Sequence, residues 1–412
     1  MNAFFVAVHQ PLAIVPHQLL QENSMYTESE VLELIEEEDV KFVRLAFFDF
    51  HGKQKNISIM SDQLEKAFKN GVSFDASAIC GFEPPECSDL FLHPDPSTIS
   101  IIPWRPNTGK VVRMFCNIKK PDGTPYKKDC RTMLQNAIKE MKEKCNCSLS
   151  IGSEIEFYLF KLDEKGNPTK EPFDEAGYMD IAPEDKGENI RREICFTLEQ
   201  MGISPESSHH EEGPGQNEID FHYSDALSAA DNAATFKWIV RTRAAGSGLY
   251  ADFSPKPLAD KAGSGFHINI SCSDPSKTDN ILAGLLKHAK EMTYYMNNSE
   301  ESYNRFGEYK APKYIAWGHE NRTAYIRIPA TKEAKRIEIR SADPECNPYL
   351  VYTLIIHAAM DGIKNNLVPP ECVKDNLMQG DSSLKLETLP DTLDYARQIA
   401  LESDFVKQAF GR

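Results

Sequence analysis

Four short runs of this chain set charged or polar side chains at every second residue among apolar ones, and that spacing constrains the fold more than any other feature. In GSEIEFYLF, Glu154 and Glu156 project to one side; in SGFHINIS, His267, Asn269 and Ser271 oppose Phe266, Ile268 and Ile270; in AKRIEIRS, Arg336, Glu338 and Arg340 oppose Ile337 and Ile339. A β-strand sends successive side chains to opposite faces, so each run predicts a strand with one apolar and one polar face. The fourth run, HHEEGPGQNEID, places Glu211 and Glu218 on either side of a Gly-Pro-Gly turn.

Read singly, each run is an amphipathic surface strand. Read together they gather five carboxylates and one imidazole, which repel one another unless something cationic sits among them. Hard oxygen donors with a single histidine suit Mg2+ or Mn2+ better than zinc, which prefers cysteine and histidine. Arg305, Arg322, Arg327 and Arg340 then serve as clamps for phosphates and carboxylates. Metals with several arginines fit phosphoryl transfer, where charge neutralisation and in-line positioning supply most of the catalysis. No P-loop or kinase-type glycine motif is present, so a nucleotide has to bind in another way.

Composition narrows the partners. The 412 residues carry a formal net charge of −16, which argues against nucleic acid or an anionic membrane as the main partner. No apolar run approaches the roughly 18 residues of a membrane span. Ten cysteines are scattered without CxxC pairs, and the cytoplasm is the default location. Length suits two or three domains. Residues 1–24 read as a poorly ordered extension, residues 25–120 as a small α+β domain, and residues 121–412 as a larger one, with KKPDGTPYKKD as the linker between them. In the small domain, TESEVLELIEEEDV predicts a helix, KFVRLAFFDFHGKQKNISI a hairpin, and SDQLEKAFKNG a helix stopped by Gly71. Further on, ENIRREICFTLEQMG predicts an amphipathic helix stopped by Gly202, and PYLVYTLIIHAAMDGIKNN a buried one. His209 and His210 are read as structural, Trp104, Trp238 and Trp317 as core or interface, and the acidic residues 36–39 as a solvated helix face.

The runs, in this order, together with FDASAI, GYMDIAPEDKGENIRREI, NRTAYIRIP and RIEIRSADPECNPYL, resemble the class I (bacterial-type) glutamine synthetase family from Met25 onward. The resemblance implies an α+β fold: a β-grasp-like N-terminal domain and a catalytic domain on a curved antiparallel sheet. It implies a homo-oligomer, a hexameric ring or a dodecamer, with each site shared between neighbouring subunits. It further implies that Glu156, Glu211 and Glu218 hold one Mg2+ or Mn2+, and Glu154, His267 and Glu338 a second. Glu206, Ser271, Arg322 and Arg327 match positions that contact ATP; Gly263, Arg305 and Arg340 match positions that hold glutamate, with Arg322 bordering it. Asp75 matches a carboxylate that crosses the subunit boundary to deprotonate ammonium, and Tyr178 a neighbour of that pocket. The implied reaction is ATP-dependent: the γ-carboxylate of glutamate is phosphorylated, and ammonia or another amine displaces phosphate.

Four departures stand out. The family's flap pattern R-L-V-P-G-Y-E-A-P becomes RFGEYKAP, one residue shorter, with Lys310 where the family has its glutamate. Ala262 replaces an asparagine before Gly263, FDASAI replaces F-D-G-S-S-I, and the chain ends at DFVKQAFGR without the family's C-terminal helical segment. The leading expectation is a glutamate–ammonia ligase. A γ-glutamyl-amine ligase for a larger amine and a non-catalytic regulatory homologue are the alternatives.

Overall fold

Helix and strand signals are satisfied locally at their ends. Thr27 and Glu30 form a reciprocal capping box at the start of the helix Glu28–Glu37. Gly71, at φ 71°, ends the helix Leu64–Asn70 in a backbone region open to glycine. In the hairpin, strands β1 (Val40–Phe48) and β2 (Gln54–Met60) pair antiparallel. The computed structural model describes residues 26–331, 335–379 and 385–411; the expected extension over residues 1–24 lies outside the described residues.

The hairpin belongs to a first sheet with β3 (Val72–Asp75), β4 (Asp89–Pro94), β5 (Ser100–Ile101) and β6 (Lys110–Lys119). Its order is β2-β1-β6-β4-β3, with β5 along β6, and β1 runs parallel to β6. Val43, Leu45, Leu92, Val112 and Met114 form its core with Val31 and Leu64 of the two helices.

The second sheet is built around one long strand, β7 (Leu149–Leu162). The others are β8 (Pro168–Pro172), β9 (Pro205–His210), β10 (Gln216–Phe221), β11 (Ser224–Asp225), β12 (Leu249–Asp252), β13 (Phe266–Cys272), β14 (Trp317–His319), β15 (Ile326–Ile328) and β16 (Ile337–Ile339). The main path is β14-β15-β16-β13-β7-β10-β9, and β8, β11 and β12 also pair with β7. All these pairings are antiparallel except the β14/β15 edge, so the sheet is mixed at that edge rather than antiparallel throughout. Trp317 pairs with Ile326 and His319 with Ile328, so β14 and β15 run the same way.

One face of this sheet packs on helices. Ile151, Ile155, Phe157 and Leu159 of β7 and Phe266, Ile268 and Ile270 of β13 share a core with the helices Cys130–Cys145, Glu188–Gln200, Ala226–Gly246, Thr278–Lys287 and Pro348–Lys364. The last helix is buried around most of its circumference, as its sequence predicts. It meets the helix Thr278–Lys287 through two glycines: a Cβ on Gly284 would lie 2.1 Å from the carbonyl oxygen of Ala358, and one on Gly362 would lie 2.0 Å from that of Asn280. Backbone therefore touches backbone, and the helices cannot admit even a methyl without separating. Gly284→Ala is expected to cost about 3 kcal/mol by overpacking, read as a lowered denaturation midpoint with an unchanged slope. An unaltered midpoint would contradict this contact.

Candidate active site

With the apolar alternates buried against helices, the other side chains of six strands are forced onto the opposite face, and register aligns them in rows. His209, Glu218 and Glu156 are cross-strand neighbours on β9, β10 and β7. Beside them run Ser207, Asp220, Glu154 and His267, on β9, β10, β7 and β13. A third row is Asn269, Glu338 and Arg327, on β13, β16 and β15. Ser271 follows on the same face of β13.

Donor atoms of Glu154, His267 and Glu338 lie within 4.8 Å of one another, so the structure brings together the whole of one expected ligand set. The other expected set is joined through Glu218, which groups with Glu156 and His267 on one side and with His209 and Glu211 on the other. Asp220 completes a further group with Glu154 and Glu218. The sequence reading omitted Asp220, although it stands two residues after Glu218 on the same strand, the spacing that marked the other carboxylates. His210 is buried on the far side, against Asp174 at 2.8 Å, whereas His209 turns to the carboxylate face and bonds Glu211 at 3.0 Å.

Electrostatics divides the carboxylates. Burial would raise Glu154, but His267 at 3.2 Å and Asn269 at 2.7 Å, with the Arg340 charge, hold it down at about 2. Burial pushes Glu156 up despite hydrogen bonds from the Gly265 amide at 2.8 Å and Gln216 Nε2 at 3.0 Å. Glu218 is raised well above the ordinary carboxylate range by burial and by the charges of Glu156, Asp220, Glu154 and Glu211. Asp220 is pushed up to about 6 by burial and Glu154. Glu338 is 1% exposed and receives Arg327 at 2.5 Å and Arg340 from the other side. A cluster of buried carboxylates, Glu156, Glu218 and Asp220 raised among them, with the His267 and His209 rings beside it, fits two hard divalent cations.

The turn that delivers Glu211 is held from behind. Asp174 accepts hydrogen bonds from the Gly215 amide at 2.9 Å and the Lys186 amide at 3.0 Å. Arg191 pairs with Asp185 and donates to Asn217 at 2.6 Å, and Asn217 returns a bond to the Gly215 carbonyl at 2.9 Å. These donors already occupy Asp174 and Asp185, so that buried trio with His210 is a brace, not a cation site. Only glycine fits at 213, where a Cβ would lie 1.9 Å from the Tyr158 hydroxyl.

The remaining expected residues are spread around this face. Gly263 abuts Arg305: a Cβ there would lie 2.7 Å from Arg305 Cγ, and its carbonyl accepts from Gln216 at 3.2 Å. Arg305 is buried, with Nη1 donating to the Ser341 carbonyl at 3.1 Å. Arg340 donates through Nε to the Arg322 carbonyl at 3.0 Å, and the Arg322 side chain is exposed. Glu206 sits at the opposite end of β9 from Glu211, paired with His222 at 2.8 Å. Tyr178 is half-exposed and meets the His209 ring edge-on at 5.5 Å. Asp75 is not gathered with the others: it ends β3 in the first sheet and caps the turn Ala76–Ala78 through the Ser77 amide at 2.9 Å.

The flap residues are also paired. Lys310 forms an ion pair with Glu212, the neighbour of Glu211. Glu308 is drawn the other way, onto the buried Lys256 ammonium at 2.9 Å, and Tyr309 donates to the Asp260 carbonyl at 2.7 Å. No carboxylate of the flap therefore faces the site.

Comparisons with known proteins agree along the chain. The family model for the glutamine synthetase beta-Grasp domain matches residues 39–121, and that for the glutamine synthetase catalytic domain matches residues 127–412. A glutamine synthetase of Methanosarcina mazei is 44% identical, the match covering 95% of this chain and 92% of that protein. Those of Clostridium saccharobutylicum and Staphylococcus aureus are each 43% identical over 94% of this chain and 92% and 91% of theirs. Among solved structures, one described as a GmaS/ADP complex superposes with a TM-score of 0.85 at 27% identity, covering 92% of each chain. A Plasmodium falciparum glutamine synthetase does so at 0.82 with 24% identity, covering 94% of this chain and 95% of that one, a likeness of fold.

Proposed function

The chain belongs to the glutamine synthetase family, and from that premise we propose that it joins ammonia to the γ-carboxylate of glutamate at the expense of ATP. The observation that carries this reading is the face on which Glu154, Glu156, Glu211, Glu218, His267 and Glu338 converge beside Arg327 and Arg340. Glu156, Glu211 and Glu218 would hold one Mg2+ or Mn2+, and Glu154, His267 and Glu338 the other. Bound there, two divalent cations neutralise the phosphate oxygens of ATP.

The chain's own residues supply the rest. Arg327 and Arg322 border the face as donors for the transferring phosphoryl group, with Ser271 and Glu206 toward the nucleotide. Gly263, Arg305 and Arg340 flank the place of glutamate. A γ-carboxylate oxygen attacks the γ-phosphorus and ADP leaves, giving an acyl phosphate. The ammonia nitrogen then adds to the carbonyl carbon, the bond to the phosphate oxygen breaks, and the excess proton passes to a carboxylate base. Asp75 fills that role from a neighbouring copy in a homo-oligomeric ring, which accounts for its position away from its own chain's carboxylate face. Tyr178 borders the same pocket. Among the described residues, no helix is long and apolar enough to cross a membrane.

One observation favours a second reading. Lys310 stands at the flap position, and Glu308 is committed to Lys256. A positive flap disfavours ammonium by sign and suits a larger amine. Phosphate release measured with glutamate, ATP and a panel of amines tests both. Ammonia preferred by a wide margin supports the ligase for glutamine; a preferred larger amine replaces it; no turnover with any amine ends both readings. Lys310→Glu is expected to raise kcat/KM for ammonia by about tenfold, the effect of reversing one nearby charge. An unchanged or lower value would remove Lys310 from the acceptor site.

A further inference from the structure

The helix Cys130–Cys145 ends at Asn146, whose left-handed backbone, at φ 49°, turns the chain toward β7. Cys147 stands in that turn, just ahead of Leu149, where β7 begins. Leu149 pairs with Cys272, the last residue of the antiparallel neighbour β13. Beyond that pair the two chain segments are tied again. The Ser148 amide donates to Ser273 Oγ at 2.9 Å, and the Ser273 amide to the Ser148 carbonyl at 3.0 Å. Alternation carried back from Leu149 through the exposed Ser148 puts the buried Cys147 on the same face as Cys272, as its diagonal neighbour. The two thiols are in hydrogen-bond contact. They meet on the apolar side of the sheet, opposite the carboxylates, in a position that the ligase chemistry does not use.

The pair is asymmetric. Cys147 is 4% exposed, and burial, then Cys272, push its thiol up to about 12, with the Lys277 charge opposing. Cys272 is only part-buried, so it is the sulfur that an oxidant in solution reaches first. Lys277 is fixed beside them, donating to the Cys145 carbonyl at 2.8 Å and pairing with Asp274 at 3.0 Å. An accessible thiol, a buried thiol touching it and an ammonium nearby form the arrangement of an attacking and a resolving cysteine. Cys116, Cys130 and Cys346 differ: each is buried, and burial pushes each thiol up. Cys147 lies before its strand and Cys272 at the end of its own, so the backbone can adjust to disulfide geometry without breaking the ladder between them.

We propose that Cys147 and Cys272 are a reversible oxidation site that closes to a disulfide on reaction with a hydroperoxide. The Cys272 sulfur attacks a peroxide oxygen, the O–O bond breaks, and a sulfenic acid and water result. The Cys147 sulfur then attacks the sulfenic sulfur; the S–S bond forms, the S–O bond breaks, and the departing hydroxide takes the Cys147 proton as water. Two electrons pass from the thiols to the peroxide, and a dithiol returns them by exchange. The bond ties the start of β7, the strand of Glu154 and Glu156, to the end of β13, the strand of His267 and Ser271.

Peptide mass mapping of the full-length protein tests it, after treatment with stoichiometric hydrogen peroxide, alkylation and digestion without reductant. The expected product is a peptide pair joined through Cys147 and Cys272, lighter by the two thiol hydrogens. Free thiols fall by two from the ten of the reduced chain, and dithiothreitol restores them. Cys147→Ser is expected to stop at the Cys272 sulfenic acid, captured by dimedone, and Cys272→Ala to leave Cys147 unoxidised. Circular dichroism verifies that both variants are folded, and the wild-type mapping stands without them. The proposal is overturned if the exposed Cys80 or Cys87 is oxidised while no joined peptide forms, if Cys272 joins Cys145 instead, or if folded Cys147→Ser yields no trapped Cys272. Mass and thiol count need no turnover, so a failure of the ligase reading leaves this test intact.

Discussion

Replacing Arg327 with glutamine is expected to lower kcat by about three orders of magnitude while changing the KM for ATP little, the pattern of a group that acts on charge in flight. One guanidinium nitrogen, Nη1, is fixed on Glu338 at 2.5 Å, and Nε lies buried without a partner. That arrangement holds the guanidinium plane still while leaving donors for an incoming phosphoryl group, so little ordering remains to be done in the transition state. Arg327→Lys keeps the charge and loses the planar fork, so an intermediate loss is expected. Initial-rate kinetics on both variants decides. A defect confined to KM would make Arg327 a ground-state binder and remove the catalytic role assigned to it.

The second large effect concerns Glu218. Its carboxylate is 7% exposed, faces four other carboxylates, and has the His209 ring at 3.7 Å. Without a cation this is repulsion stored in the folded state, so Glu218→Gln is expected to melt higher than the wild type in chelator. With Mg2+ or Mn2+ the order reverses, because a ligand that binds only the folded form stabilises it in proportion to the logarithm of its concentration over Kd. The variant loses most of that gain, and its turnover falls by at least about a hundredfold. Thermal melts with and without metal provide the readout. A variant that melts lower in chelator, or gains as much from metal as the wild type, would place the cations elsewhere.

Most of the carboxylate face was legible in the sequence, because a strand of period two leaves no choice. Once Ile155, Ile268 and Ile339 are buried, Glu154, His267 and Glu338 have to share the other side. The same rule, carried one step further along β10, would have included Asp220. The helices Glu28–Glu37 and Pro348–Lys364 were equally plain, through a capping box and a continuous apolar surface. What the sequence withheld were relations between distant segments. Nothing local says that His209 turns to the site while His210 turns away, since that follows from the pairing of β9 with β10. Nothing local says that Glu308 is taken by Lys256, 52 residues away, or that Lys310 reaches Glu212, 98 residues away.

One contact in the fold reaches further than its size. The turn of the first hairpin rests on the end of the helix Pro348–Lys364: a Cβ on Gly52 would lie 2.9 Å from that of Asn347, whose side chain caps the helix and bonds the Phe50 carbonyl at 3.1 Å. Phe48 and Tyr349 add a ring contact at 4.7 Å. Upstream of Asn347, a short segment leads back to Arg340 and Glu338. The first sheet is thus seated on the same stretch of chain that carries the innermost carboxylate. Any side chain at position 52 would therefore push the first sheet off the stretch of chain that leads to Glu338.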